Sequence, residues 1–339
     1  MSTAAPFRAE MRSNQAAVAA PVTHPVAASA ASAGVEVVPP IVKFPDCPTS
    51  LSAEQVAQYQ RDGFLAFENF LTPIEVEALK SAMRSMIEEI VGGVRSGKGW
   101  QKKGDWLGMK NYSGTRLGRD GHKTDLLFEP DAVVDVATAS MDEIESKVRK
   151  FSFPCEGHPL FQLLATHPRL MPLVEALLGP KPILYGDMAL MKPGHGGVAK
   201  PWHQDSAYFD YLPFNAGVDV WIALDDATAE NGCMQVLPGD YNSAPKKHHH
   251  TDDCEILPDR IDTSKAVTAE LKAGGVLLFS VMMPHYTPPN RSAHSRRSAQ
   301  LFFRGANTRL VKGEEHTEAY REPDGTLASC RAVPAKKAE

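Results

Sequence analysis

Cysteine is scarce in this chain. Its five copies among 339 residues (Cys47, Cys155, Cys233, Cys254 and Cys330) are odd in number, scattered and free of any Cys-x-x-Cys pair. A disulfide framework is therefore not expected, and the cysteines read as reduced thiols of an intracellular protein. No apolar run approaches the ~18 residues that a membrane helix needs. No secretory apolar stretch opens the chain, and Lys337-Ala338-Glu339 is not a peroxisomal Ser-Lys-Leu ending. Arg8 and Arg12 hint at a mitochondrial leader, but Glu10 and the sparse arginines argue against one, so a cytoplasmic protein is expected. A formal net charge of −5 gives no global footprint for nucleic acid. Internal repeats are absent as well.

What is present reads as one globular enzyme-sized body. Hydrophobic residues make up 43% of the chain and charged residues 23%, enough to build a core. Residues 1–46, rich in Ala, Ser, Val and Pro, form no amphipathic period and are expected to be a disordered leader. The body spans 47–313, and 314–339 reads as a loose tail.

Helices come first. Ser52-Ala-Glu-Gln55 and Thr72-Pro73-Ile-Glu75 are capping boxes, the second with Pro at the favoured first helical position. Val76, Leu79, Met83, Met86 and Ile90 step by three or four and predict one buried stripe, ended by Gly92-Gly93. Shorter helices are expected over 159–165 and 168–178. Strands follow over 183–191, 206–209, 218–224, 233–237, 267–271, 275–281 and 299–304. This order predicts a mainly β fold with flanking helices, a double-stranded β-helix (jelly-roll, cupin-like) core.

The chemistry concentrates at Trp202-His203-Gln204-Asp205 and at His285, some 80 residues later. Residues two apart on a strand point to one face, so His203 and Asp205 are expected side by side. A His-x-Asp pair with one distant His is the sequence form of a facial triad. It holds octahedral iron(II) on one face and leaves positions open for substrate and dioxygen. Arg296, eleven residues after His285, is placed to meet a carboxylate in a bidentate fork. Ser206 has no paired base, so nucleophilic catalysis has no support. His248-His249-His250 beside Asp253 is a weak candidate for a second metal, because consecutive loop residues do not converge on one ion.

These motifs resemble the phytanoyl-CoA dioxygenase family of iron(II)- and 2-oxoglutarate-dependent oxygenases. The likeness runs from about 51 to 306 through Asp62-Gly63-Phe64-Leu65, Asn69-Phe70-Leu71-Thr72-Pro73, Lys192-Pro193-Gly194, Glu230-Asn231-Gly232 and Leu237-Pro238-Gly239. One departure is Asp240-Tyr241, where the family often continues Ser-His. The resemblance implies His203, Asp205 and His285 as metal ligands. It implies Arg296, rather than Arg297, as the anchor of 2-oxoglutarate, with Lys147, Met188, Trp221 and Thr287 lining the same pocket. It also implies hydroxylation with Fe(II), 2-oxoglutarate and O2, because Asp205 stands where related halogenases have a small residue. Asn290 reads as a tie within its own Pro-Pro-Asn turn.

Two other readings stay open at this stage: a cupin-type hydrolase or isomerase using another divalent ion, and a non-catalytic barrel. Between residues 93 and 146 lies an irregular basic insertion. From Arg95 to Lys123 it holds eight Lys or Arg against Asp105 and Asp120. It is either a solvated loop or a lid whose cations meet an anionic small-molecule substrate. Neither a nucleic acid nor a membrane is an expected partner.

Overall fold

The computed structural model describes residues 38–330 apart from 99, 107–108, 116–122, 131, 243, 251–252, 312–314 and 316–317, with side chains left out over 99–123 and at 242. Most of the predicted leader (1–37) and the last nine residues lie outside this description.

Both capping boxes form as read. Ser52 opens helix α1 (Ala53–Asp62) and Thr72 opens helix α2 (Pro73–Arg95), each with the reciprocal side-chain bonds in place. The stripe Val76, Leu79, Met83, Met86 and Ile90 is buried throughout. Contrary to expectation, Gly92-Gly93 does not end α2, which continues to Arg95. Tertiary anchoring carries the helix past the glycines: Arg95 donates to the carbonyls of Val136 and Ala139. Three short helices follow after α3 (Met141–Glu145): α4 (Pro154–Gly157), α5 (Pro159–Ala165) and α6 (Met171–Leu178).

A nine-stranded antiparallel sheet forms the frame. Its order is β1 (Phe64–Phe67), β14 (Val276–Ser280), β9 (Gly217–Ala223), β16 (Arg296–Arg304), β6 (Ile183–Lys192), β5 (Val148–Ser152), β4 (Lys123–Phe128), β3 (Met109–Thr115) and β2 (Trp100–Trp106). The smaller sheet is ordered β13 (Val267–Ala269), β10 (Met234–Val236), β15 (His285–Thr287) and β7 (Lys200–His203). Ribbons of two residues pair β8 (Tyr211–Leu212) with β17 (Arg309–Leu310) and β11 (His249–His250) with β12 (Cys254–Glu255).

Alternation along the strands divides the core in two. One face of the large sheet, including Phe151, Ala189, Val220 and Leu301, packs on α2, α5 and α6 in the larger apolar cluster. The other face carries Trp221, Phe279 and Phe302, which pack with Met234, Val236 and Met283 around the smaller sheet. At ~1.5–3 kcal/mol per fully buried Leu, Phe or Met, both clusters stabilise the fold, the outer one through more side chains.

Several expectations need correction. The basic insertion is not irregular: it supplies β2, β3 and β4 and extends the large sheet by three strands. Its candidate lid cations Lys102, Lys103, Lys110, Arg116 and Arg119 have side chains outside the described residues. In place of a strand over 206–209, Asp205–Tyr208 fold as a 3-10 turn. The cysteines are not all free, since Cys254 and Cys330 form a disulfide. Their separation of 76 residues left no local sequence signal. That bond also fastens part of the predicted tail. Tyr320, Ala328 and Ser329 are buried, and Tyr320 donates its hydroxyl proton to Ser206 Oγ at 3.3 Å. At the other end, Ile41 is buried and Phe44 bridges to Phe67, so the packed body begins before residue 47.

Gly63 shows why its motif takes that residue. Its φ of +84° suits glycine, and a Cβ there would meet the Tyr241 ring at 2.3 Å. Tyr241, the family departure noted above, donates its hydroxyl to the Gln60 carbonyl at 2.6 Å. It packs against α1 and the turn that follows.

Candidate metal and co-substrate site

The two sheets bring the predicted ligands together. His203 ends β7 and His285 begins β15, and the two are Cα partners in the antiparallel register. Asp205 does not continue the strand as expected; it opens the 3-10 turn that follows. The turn delivers its carboxylate to the same point: Oδ1 lies 3.4 Å from His203 Nε2 and Oδ2 lies 3.8 Å from His285 Nε2. All three side chains are buried, and one ligand atom from each lies within 4.8 Å of the others. Among the described residues this is the one such cluster. His248, His249 and His250 build no second one. His248 Nε2 instead accepts the Gln204 amide at 2.9 Å, between the two ligands of the His-x-Asp pair.

The surroundings prepare these groups to bind a cation. His203 Nδ1 donates to the Pro201 carbonyl at 2.8 Å, and His285 Nδ1 donates to the Met283 carbonyl at 3.0 Å. Carbonyls only accept, so both rings carry the proton on Nδ1 and present a bare Nε2. Burial, reinforced by His203, pushes His285 down to about 4, keeping it neutral at ordinary pH. Burial opposes ionisation of Asp205, yet the imidazoles beside it, first His285 and then His203, outweigh this and hold it as a carboxylate. Gln300 donates to its Oδ2 at 3.3 Å. Fully buried Asp219 accepts no hydrogen bond, and burial together with the Asp205 charge pushes it well up. In its protonated form Asp219 can donate to Asp205. Two imidazoles that present Nε2 and one carboxylate on one face fit iron(II).

A second cluster lies on the inner face of the large sheet, at the end where β6 finishes and β16 begins. Arg296 is 3% exposed. Its guanidinium donates to the Gly232 carbonyl at 2.8 Å and lies 5.3 Å from the Trp221 ring centroid. Gly232 has a φ of +75°, and a Cβ there would meet the Pro288 carbonyl at 2.2 Å, so glycine alone lets this carbonyl reach Arg296. Among the described residues Arg296 Nε has no hydrogen-bond partner, and burial pushes the group down to about 10. A buried guanidinium without a carboxylate is costly and fits an anionic ligand such as 2-oxoglutarate. Register lines Met188, Gln300 and Trp221 up in one row across β6, β16 and β9. Thr287, on β15, accepts from Lys192 at 3.2 Å.

Lys147 is the exception. It is exposed in the turn before β5, outside this cluster. Lys150, from the same Lys-Val-Arg-Lys run, is the residue that turns inward. Its Nζ lies 4.0 Å from Met188 Sδ, and burial pushes it down to about 8. Strand parity sets Lys150 on that face, since it pairs with Leu190, two residues from Met188. Parity also points to Gln300 and Asp219, which share a face with Arg296 and Trp221 but carry no motif. Asn290 behaves as read: its Oδ1 accepts from the Ser292 amide, and its Nδ2 donates to the Lys192 and His294 carbonyls.

Arg297 faces the other way. Its Nε and Nη2 grip Asp225 at 2.8 and 2.9 Å, and Asp225 also meets Lys80 at 3.2 Å. Arg297→Ala is expected to cost about 1–2 kcal/mol of stability. Urea unfolding measures that loss, while the KM for 2-oxoglutarate should stay near the wild-type value.

Comparison with known proteins agrees with this geometry. The family model described as Phytanoyl-CoA dioxygenase (PhyH) matches residues 59–298. The Dictyostelium discoideum "Phytanoyl-CoA dioxygenase domain-containing protein 1 homolog" is 27% identical over 269 residues, covering 75% of this chain and 91% of its own. Among solved structures, the non-heme alpha ketoglutarate dependent carbocyclase SnoK from nogalamycin biosynthesis aligns with a TM-score of 0.55 at 19% identity. The alignment covers 81% of this chain and 92% of that one. EctD from S. alaskensis, solved with 2-oxoglutarate and 5-hydroxyectoine, gives 0.55 at 19%, covering 88% and 92%. At such identities the structures speak to the jelly-roll fold, while the family match extends over most of the chain. With its His-Asp-His cluster and buried unpaired arginine, the chain belongs to the phytanoyl-CoA dioxygenase family of iron(II)- and 2-oxoglutarate-dependent oxygenases.

Proposed function

We propose that the protein hydroxylates an unactivated C–H bond of a small organic molecule. One oxygen atom of O2 enters the product and the other enters succinate, as 2-oxoglutarate loses CO2. The observation that carries this reading is the buried His203-Asp205-His285 cluster together with the buried Arg296 on the same inner side of the large sheet, with no acid paired to that arginine among the described residues. Iron held by the three side chains supplies the activation of dioxygen. Arg296, with Trp221, Met188 and Thr287 around it, orients the far carboxylate of the co-substrate so that its keto-acid end meets the metal. The apolar inner wall, including Phe279 against His285 at 5.1 Å, excludes water from the reacting centre. Asp205 would fill the place on a bound iron that a halide would need, which favours hydroxylation. A hydrolase or a passive barrel has no use for the buried cation. Among the described residues no helix is long and apolar enough to cross a membrane. An anionic substrate belongs to the same proposal, supported by the basic sequence of the β2–β4 segment.

A screen of small-molecule pools for stimulated succinate formation, with iron(II) and 2-oxoglutarate present, tests this function. The expected hit gives succinate and a product one oxygen heavier in equal amounts. A hit whose product has instead lost two hydrogens would replace hydroxylation by desaturation or ring closure. Metal-dependent turnover that ignores 2-oxoglutarate would overturn the proposal.

A further inference from the structure

The turn that carries Asp205 is held by two pieces of chain far from it in sequence. The first is the stretch 246–256. His248 is buried, and its Nε2 accepts the Gln204 amide. Its Nδ1 donates to the Lys246 carbonyl at 2.7 Å, which fixes the proton there and leaves Nε2 as the acceptor. The Ile256 amide donates to the Trp202 carbonyl at 2.8 Å. The second piece is a strap over 318–330. Its Tyr320 hydroxyl meets Ser206 Oγ, and Ser329 Oγ donates to the Ala207 carbonyl at 3.3 Å. Its Ala328 carbonyl accepts the His248 amide at 2.7 Å. A line of hydrogen bonds thus runs from the strap through His248 to the Gln204 amide, and the next residue is the ligand Asp205. One covalent bond ties the strap to the first piece: Cys254 of β12 is joined to Cys330. Besides it, ion pairs of Glu322 with His249 at 3.2 Å and with Arg260 hold the strap's outer loop. Pairs this close to the surface contribute little, and a segment exposed over most of 321–327 opens readily.

We propose that the Cys254–Cys330 disulfide is a redox latch on the metal turn. Formed, it holds the strap against His248 and keeps the Asp205 carboxylate in place for iron(II). Reduced by a dithiol, it lets the strap lift and loosens the metal. The inference rests on the reading of His203, Asp205 and His285 as metal ligands. Cys254 is buried and Cys330 half-buried, so a thiolate reaches the Cys330 sulfur first. Its attack on Cys330 Sγ breaks the S–S bond, and Cys254 Sγ leaves with the electron pair and takes up a proton. The second thiol of the reagent then attacks the sulfur bound to Cys330 and closes the reagent's own disulfide. Cys330 is released and takes up the other proton. Two electrons have passed to the protein, and the dithiol is the species oxidised. Cys47, Cys155 and Cys233 are buried free thiols and take no part.

The full chain, purified without reductant or reduced by dithiothreitol and desalted anaerobically, tests the latch. Thiol titration in denaturant should count three thiols in the first state and five in the second. Hydrogen exchange of the metal-free protein, read by mass spectrometry, should quicken on reduction over 318–330 and over 202–208. Iron(II) affinity, measured by competition with a chromophoric chelator, should fall about tenfold or more, as when groups that support a metal ligand are lost. Both changes should reverse when glutathione disulfide is added. Cys330→Ser should match the reduced protein in either state. Five thiols without reductant overturn the proposal. So does an iron(II) affinity equal in the oxidised and reduced wild type, whether or not the variant folds and even where the strap exchanges faster. If the oxidised protein shows the expected thiol count and slow exchange but no affinity for iron(II), the metal reading itself falls and takes the latch with it.

Discussion

Replacing His203 or His285 by alanine is expected to abolish both iron retention and turnover. Each imidazole presents a bare Nε2 because its Nδ1 proton is committed to a main-chain carbonyl. Two remaining ligands cannot hold a labile divalent ion against water. Losing even a group that supports a ligand costs about 10–100-fold, so losing the ligand should exceed about a hundredfold in activity. The cavity left at either position is small and lined in part by polar groups, so the variants should fold. Iron per chain after desalting, measured beside succinate formation, checks the prediction. A His203→Ala protein that keeps its iron and near-normal activity would move the metal elsewhere.

Arg296→Ala should raise the KM for 2-oxoglutarate far more than it lowers kcat. Arg296 is remote from the reacting atoms, so its removal weakens binding before it touches chemistry. Truncating one partner of a buried charge pair costs ~2–5 kcal/mol, or about 30-fold to several-thousand-fold in affinity. Arg296→Lys should recover only part of this. An ammonium cannot donate to the Gly232 carbonyl and present a planar fork to a carboxylate at once. Steady-state kinetics with varied 2-oxoglutarate separates the two parameters. The contrast with Arg297→Ala sets the register: a KM effect confined to Arg297 would place the inward face one residue further along.

The triad and Arg296 were legible because the chemistry fixes residue types and spacing, and the surrounding motifs repeat that spacing. The helices were legible where caps and apolar periodicity agree, as at Thr72 and the Val76–Ile90 stripe. Strands β2 and β3 were not, because their sequences are mostly polar, and β4 has only the short apolar run Leu126-Leu127-Phe128, so none shows an alternation of apolar residues. They form by extending an existing sheet from β5, a pairing that no local signal announces. Lys147 illustrates a different limit. A lysine in a run of similar residues shows no face of its own, and the parity that turns Lys150 inward appears only once β5 is paired with β6. Asp219 and Gln300 are ordinary strand residues until the small sheet brings Asp205 across to them. The Cys254–Cys330 bond likewise depends on where the chain returns after a long excursion, and cysteine spacing carried no trace of it.

The most direct test of the central claim is an anaerobic titration of the protein with iron(II) and 2-oxoglutarate, followed by the visible charge-transfer absorption of the chelate. The account predicts a band that saturates at one iron and one co-substrate per chain. It should be missing when His203, Asp205 or His285 is replaced by alanine, and shifted to higher 2-oxoglutarate concentration by Arg296→Ala. An absorption of equal strength in the three ligand variants, or none in the wild-type protein, would contradict it.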